Sequence, residues 1–291
     1  MQKRKKKNIC ILVCVLIATC GFLLPSFTNA LSEIQQKTVL SGAEEQLSEL
    51  DGDEMDRQMA MCRQYNQDIY SEQQITPFAY HEGTAGDTEY DKLLPYSAMC
   101  ILDVPSLDIT LPVAHSTDAD KLQYEAGHMH GTSLPTGGES THAVIAAHTG
   151  LTTAKLFDRL TEIKKGDYFY ITVLNEKHSY RVDRILTILP EEEGQYLQVT
   201  KGKDYVTLYT CTPYGVNDHR LLVRGIRDPS KEIDDYAENQ GEIAINNVSR
   251  SSVISLCVCI AIPAVILITG IYLILKDERK CLLFVNKAER K

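Results

Sequence analysis

The stretch from Thr207 to Gly225 holds the side chains best suited to covalent chemistry. A β-type run ends in Cys211, a turn follows, and Arg220 opens a second β-type run, so a thiol and a guanidinium come side by side. A thiolate is a strong nucleophile and arginine keeps its charge at any physiological pH. The pair can therefore attack a carbonyl and stabilise the oxyanion that forms. That is acyl-transfer chemistry, and it lacks only a proton shuttle. His148 fits this role: it closes the apolar run Ala143 to Ala147 and precedes the Thr149-Gly150 turn. His219 is the second choice, because adjacent strand residues point to opposite faces and Arg220 is its neighbour.

Other readings of these residues are weaker. Arg224 shares a face with Arg220 and Leu222, where a structural ion pair accounts for it. His128, His130, His142 and His148 fall within a short segment, yet no His-Glu-any-any-His helix or Cys-any-any-Cys pair accompanies them. No complete ligand set can be assembled, so neither a metal nor a cofactor is expected, and the histidines are expected to line loops.

The elements around these residues are short. β-type runs are predicted at about 99–104, 108–113, 142–147, 167–174, 179–189, 204–211 and 220–227, with one amphipathic helix near Leu151 to Leu160. Residues 98–228 suffice for one core, and many short strands in so small a unit favour a closed or nearly closed barrel. Ahead of it, Leu40, Ala43, Leu47 and Leu50, then Met55, Met59 and Cys62, recur at helical spacing. Asp51-Gly52-Asp53 separates the two helices. Residues 71–97 are polar, with Pro77, Gly83, Gly86 and Pro95, and read as a mobile connector.

Both ends carry membrane signals. Lys3 to Lys7 is basic, and Ile9 to Leu24 has no charged side chain; residues 1–30 are therefore an export signal or a retained anchor, with retention favoured. Val253 to Leu275 is uncharged for 23 residues, enough to span a bilayer. Residues 229–252 link it to the barrel. The basic tail 276–291 and the basic N-terminus are expected in the cytoplasm, with everything between them outside. Residues 1–27 have five cations and no acids, and residues 276–291 have six cations against three acids. Within a formal charge of −9, residues 28–275 are thus left with −17. So anionic a part repels phosphate backbones, which disfavours nucleic acid, and mildly attracts a lysine-bearing protein. Of nine cysteines only Cys62, Cys100 and Cys211 fall in the exported part. Three is odd, and Cys62 and Cys100 sit at core-like spacings, which again singles out Cys211.

The signature Thr207-Leu208-Tyr209-Thr210-Cys211-Thr212-Pro213-Tyr214-Gly215, with His219-Arg220-Leu221-Leu222-Val223-Arg224-Gly225, resembles the active-site motif of sortases, most closely the class C, pilin-polymerising group. Gly131-Thr132-Ser133-Leu134-Pro135, His148-Thr149-Gly150-Leu151, Ala154-Lys155-Leu156-Phe157 and Lys165-Gly166-Asp167 follow that group in order. The resemblance spans essentially all of residues 98–228. It implies a mostly β fold: an eight-stranded sortase-type barrel with N-terminal helices and a transmembrane helix near each end. It also implies a cysteine transpeptidase with Cys211 as nucleophile, His148 as general acid and base, and Arg220 at the oxyanion and substrate. Its substrates would be exported pilin subunits with a Leu-Pro-any-Thr-Gly type motif, joined through an acceptor lysine on the next subunit.

Class C sortases carry an Asp-Pro-aromatic lid ahead of the barrel. Here the corresponding residues are Thr76-Pro77-Phe78. Phe78, with Pro77, can plug the cleft, but threonine cannot supply the charged contact to the arginine, leaving Glu82 and Asp87 as candidates to replace it. Thr210 is a further candidate for substrate contact, and Asp218 stands where a threonine-like residue is expected. Two alternatives remain in view: a housekeeping-type sortase that anchors proteins to the cell wall, and a non-enzymatic wall-anchored surface protein. Against the latter, no Leu-Pro-any-Thr-Gly precedes Val253, and Leu134-Pro135-Thr136-Gly137-Gly138 reads as a turn.

Overall fold

A computed structural model of the protein describes residues 2–74, 89–231 and 250–288. The chain divides into two compact units, Met1–Leu31 with Asn247–Lys291, and Ser32–Asn246. Helix α1 (Gln2–Ser48) begins in the first unit and ends in the second. Helix α2 (Gly52–Gln73) follows after a break at Asp51, whose side chain accepts from the Glu54 backbone N–H at 2.8 Å and so caps the new helix. Helix α1 and the C-terminal helix contain the stretches Lys6–Ser48 and Val253–Lys276, each long and apolar enough to cross a membrane. Their large apolar side chains, among them Ile17, Phe22 and Ile268, point outward without protein cover.

In the second unit, eight strands close into a barrel: β1 (Cys100–Val104), β2 (Ile109–Ala114), β3 (Ala126–His128), β4 (Thr141–Ala146), β5 (Tyr168–Val173), β6 (Glu176–Ile188), β7 (Asp204–Thr212) and β8 (His219–Arg227). Their order around the ring is β1-β2-β3-β4-β7-β8-β6-β5; β2–β3 and β4–β7 are parallel and the other pairs antiparallel. Period-two alternation explains the closure. In β5, Phe169, Ile171 and Val173 are buried while Tyr168, Tyr170 and Thr172 are half-buried, and the inward residues of all strands meet in one core. Leu102, Val113, Ile145, Leu208 and Val223 belong to it.

Helix α2 buries Met59, Cys62 and Ile69 against this unit. Polar clips fix its register. The Asn66 carboxamide donates to the Leu134 carbonyl at 3.2 Å and accepts from the Leu134 N–H at 2.6 Å, while Gln58 accepts from the Leu94 N–H at 3.0 Å.

Several expectations are corrected. No helix covers Leu151 to Leu160; the segment is a loop ending in a single 3-10 turn at Leu160–Glu162. Its apolar residues do sink into the core, but its backbone bonds close the base of the loop instead of running along a helix. The Phe157 N–H donates to the His148 carbonyl at 3.0 Å, and the Gly150 N–H donates to the Asp158 carboxylate at 2.7 Å. The later part of the supposed connector is packed, with Tyr90, Leu93 and Leu94 buried. His128 and His142 are fully buried and do not line loops. Strand β3 and the one-turn helix α3 (Glu193–Tyr196), which lies in the β6–β7 connection, were not foreseen. The last helix is α4 (Arg250–Ala288). Thr76, Pro77, Phe78, Glu82 and Asp87, the residues of the expected lid, lie outside the described residues.

Candidate active site

Two strand pairings bring the predicted residues together. In the antiparallel pair β7–β8, Cys211 stands directly across from Arg220, Tyr209 from Leu222 and Thr207 from Arg224. In the parallel pair β4–β7, the register runs without a break from Thr141 and Asp204 to Ala146 and Tyr209, and the Ala147 N–H continues it by donating to the Tyr209 carbonyl at 3.1 Å. His148 follows two residues beyond the last pair on the β4 side, as Cys211 follows two beyond it on β7. Cys211 thus has Arg220 directly across on one neighbouring strand, about 4.8 Å away, and on the other side the end of β4 that leads into His148.

Side-chain parity puts all three on one face. Ala143, Ile145 and Ala147 of the β4 segment, Val206 and Leu208 of β7, and Leu221 and Val223 of β8 form the barrel core. The alternate residues Val144, Ala146, Tyr209 and Leu222, with Ile188, Leu197 and Met129, form a second apolar cluster on the outer face. His148, Cys211 and Arg220 continue that outer set. Arg224, also in it, is held by Asp183 through two hydrogen bonds of 3.0 and 2.7 Å and stacks over Tyr205. His219 pairs with Thr212, outside the row, and its Nδ1 lies 2.8 Å from the exposed Asp218 carboxylate.

Thr210 faces inward. Its hydroxyl donates to the Ala147 carbonyl at 2.6 Å and shares a hydrogen bond of 2.7 Å with the Thr149 hydroxyl, which fastens β7 to the segments on either side of His148. The turn after Cys211 folds back on the same region. Gly215 and Asn217 take positive φ, and a Cβ placed on Gly150 would sit 3.6 Å from the Tyr214 ring.

Arg220 is the most heavily tethered member. Its Nε donates to the Tyr209 hydroxyl at 2.7 Å, and its Nη1 lies 3.2 Å from both the Asn217 and His219 carbonyls. The Tyr209 hydroxyl in turn donates to Glu193 of α3, and that carboxylate is 3.5 Å from Arg220 Nε. Partial burial acts against the guanidinium charge, but Tyr209 and Cys211 outweigh it and raise the Arg220 pKa. Burial, then the hydrogen bond to Glu193, raises that of Tyr209, which keeps the phenol protonated. Burial lowers the pKa of His148, so the resting imidazole is neutral at pH 7.

Burial pushes the Cys62 thiol up to about 12 and raises that of Cys100 as well, whereas Cys211 is partly exposed. Tyr209 and Glu193 were not foreseen. Alternation from Cys211 could have found Tyr209; nothing in the sequence around Glu193 points to Arg220.

The sortase-domain family matches residues 102–228. Among curated proteins, sortase D of Bacillus subtilis (strain 168) is 25% identical over 130 residues, covering 44% of this chain and 62% of that protein's length. Among solved structures, sortase C1 of GBS pilus island 1 is 38% identical with a TM-score of 0.59, covering 66% of this chain and 91% of that one. Sortase C of Streptococcus pneumoniae is 38% identical with a TM-score of 0.59, covering 66% and 97%. A closed eight-stranded barrel with a cysteine and an arginine facing each other across β7 and β8, matched over nearly the whole of these solved chains, means that this chain belongs to the sortase family and resembles its class C members.

Proposed function

We propose that this protein is a membrane-anchored cysteine transpeptidase that assembles covalent pili. It cleaves a Leu-Pro-any-Thr-Gly type motif and joins the threonine carbonyl to a lysine amine of another pilin subunit. The observation that carries the reading is the single outward row in which Cys211 lies between Arg220 and the strand end bearing His148. The Cys211 sulfur attacks the threonine carbonyl, and the neutral His148 accepts the thiol proton as the C–S bond forms. Arg220 stabilises the oxyanion. As the C–N bond breaks, His148 gives its proton to the departing glycine amine and a thioacyl enzyme remains. A lysine amine then attacks, gives a proton to His148, and expels the sulfur.

The rim suits an extended peptide. In the barrel unit, Leu189, Tyr214 and Val216 are the exposed large apolar side chains among the described residues; Tyr214 and Val216 lie in the turn between Cys211 and Arg220, and Leu189 follows Ile188, which pairs with Arg220. The names of the solved relatives, one from a pilus island and one linked to pilin substrate specificity, favour pilin over wall precursor as acceptor. With α1 and α4 in the bilayer and both basic ends cytoplasmic, the barrel works outside the cell.

The test uses full-length protein in nanodiscs, with a fluorescent sorting peptide and pilin, a short wall-like amine, or water. Isopeptide-linked peptide–pilin product is expected, with no thioacyl intermediate in Cys211→Ala and nearly none in His148→Ala. Products of hydrolysis alone would exclude polymerisation, and transfer only to the wall-like amine would favour the housekeeping reading.

A further inference from the structure

Arg220 is gripped from behind by two residues to which the acyl-transfer steps give no role. We propose that Tyr209 and Glu193 are positioning residues that orient the Arg220 guanidinium for oxyanion binding. The inference rests on the reading of Arg220 given above. The polarity of the chain is fixed by chemistry: arginine can only donate, so Nε gives its hydrogen to the Tyr209 oxygen, and the single phenolic proton goes to Glu193. Each bond polarises the next, and the carboxylate at its end is buried, where such an arrangement is strongest.

With Nε on Tyr209 and Nη1 on the Asn217 and His219 carbonyls, Nη2 is the guanidinium nitrogen with no protein acceptor among the described residues. The tether thus fixes the guanidinium plane and leaves one edge to meet the substrate. Tyr209 is well placed for this. It comes two residues before the nucleophile on the same strand face, so a single strand carries both the attacking sulfur and the support of the arginine that receives the negative charge.

Glu193 reaches the site from α3, in the connection between β6 and β7. The same connection is clipped to the end of α2, because the Val199 N–H donates to the Gln73 carboxamide at 2.8 Å. The connection that carries Glu193 is therefore held in place by an element far away in sequence, α2.

The experiment compares Tyr209→Phe, Glu193→Gln and Arg220→Ala as full-length protein in nanodiscs. Two rates are read: thioacylation by a Leu-Pro-any-Thr-Gly peptide, which needs the oxyanion, and alkylation of Cys211 by iodoacetamide, which does not. Tyr209→Phe is expected to lower the thioacylation kcat by roughly 10- to 100-fold, as a mispositioned catalytic group does, with a smaller change in KM and an unchanged alkylation rate. Glu193→Gln should lose less, because its amide oxygen still accepts from Tyr209. In an Arg220→Ala background, Tyr209→Phe should cause no further loss. Wild-type kcat in both Tyr209→Phe and Glu193→Gln, with Arg220→Ala defective, would overturn the positioning role. A parallel fall in alkylation and melting temperature would overturn it too, by making the pair merely structural. An active Arg220→Ala would instead remove the assignment of Arg220 itself.

Discussion

Replacing Thr210 by valine exchanges a hydroxyl for a methyl of nearly equal volume, in a side chain only 1% exposed, and so tests a fastening with little change in packing. Two hydrogen bonds are lost, of 2.6 Å to the Ala147 carbonyl and of 2.7 Å to Thr149. Each contributes about 1 kcal/mol net, and a buried group left short of a partner costs about 1–3 kcal/mol. The Thr149 hydroxyl keeps the Phe157 carbonyl at 3.2 Å, so the penalty falls mainly on Ala147. The total is roughly 2–4 kcal/mol. At roughly 2–4 °C per kcal/mol for a unit of this size, the melting temperature should fall by about 4–16 °C. The bonds lost flank His148, so kcat/KM for peptide cleavage should fall by roughly 10-fold or more as the imidazole drifts from the sulfur. Thr210→Ser, which keeps the hydroxyl, should retain most of both. Calorimetry and a peptide-cleavage assay read the two quantities. A valine variant that melts within about 2 °C of wild type and cleaves at the wild-type rate would refute the argument.

Acid should weaken the barrel through its buried histidines. Burial lowers His128 to about 3 and His142 to about 4, the latter with Nδ1 and Nε2 already bonded to the Gln198 carbonyl and the Thr207 hydroxyl. The unfolded chain takes up these protons near pH 6.5 while the folded one refuses them, so stability is full above that pH and declines below it. Between pH 7.5 and 5 the two together should cost about 4 kcal/mol, read from urea titrations across that range; a flat profile would contradict the burial. Gly225→Ala should cost about 3 kcal/mol or more, because the new Cβ would lie 2.6 Å from the Phe169 ring and 2.8 Å from Tyr180 Cβ; a soluble variant with an unchanged melting temperature would disprove that close approach. Arg220→Lys should lower kcat by about 10²–10³-fold, since one ammonium cannot both hold Tyr209 and face the oxyanion. Full turnover by the lysine variant would take Arg220 out of the reaction.

What the sequence made legible was set by how local the governing physics is. Strands such as β5, with its clean alternation, and the pair around Cys211 and Arg220 follow from period-two patterning and turn chemistry within a few residues. The three-residue β3 is too short to show a period. Residues 151–160 place apolar side chains at helical intervals for another reason: a loop dips into the core, and its backbone bonds, as from Phe157 to His148, close the loop on itself instead of running along a helix. Bringing the end of β4, which leads into His148, alongside β7, which carries Cys211, required a parallel pairing between strands more than fifty residues apart, which no local pattern encodes. Glu193 was invisible for the same reason: one acid in an acidic run acquires its meaning only when α3 folds over Tyr209.

The ring of strands has a consequence for how an extended peptide could dock. Every strand has a neighbour on both sides, so among the described residues no strand stands at an open edge of the sheet to which an incoming tail could add itself along its whole length. Under the function proposed above, a visiting peptide is then gripped chiefly through its side chains and by the loops at the rim, a hold that can be released after each turnover.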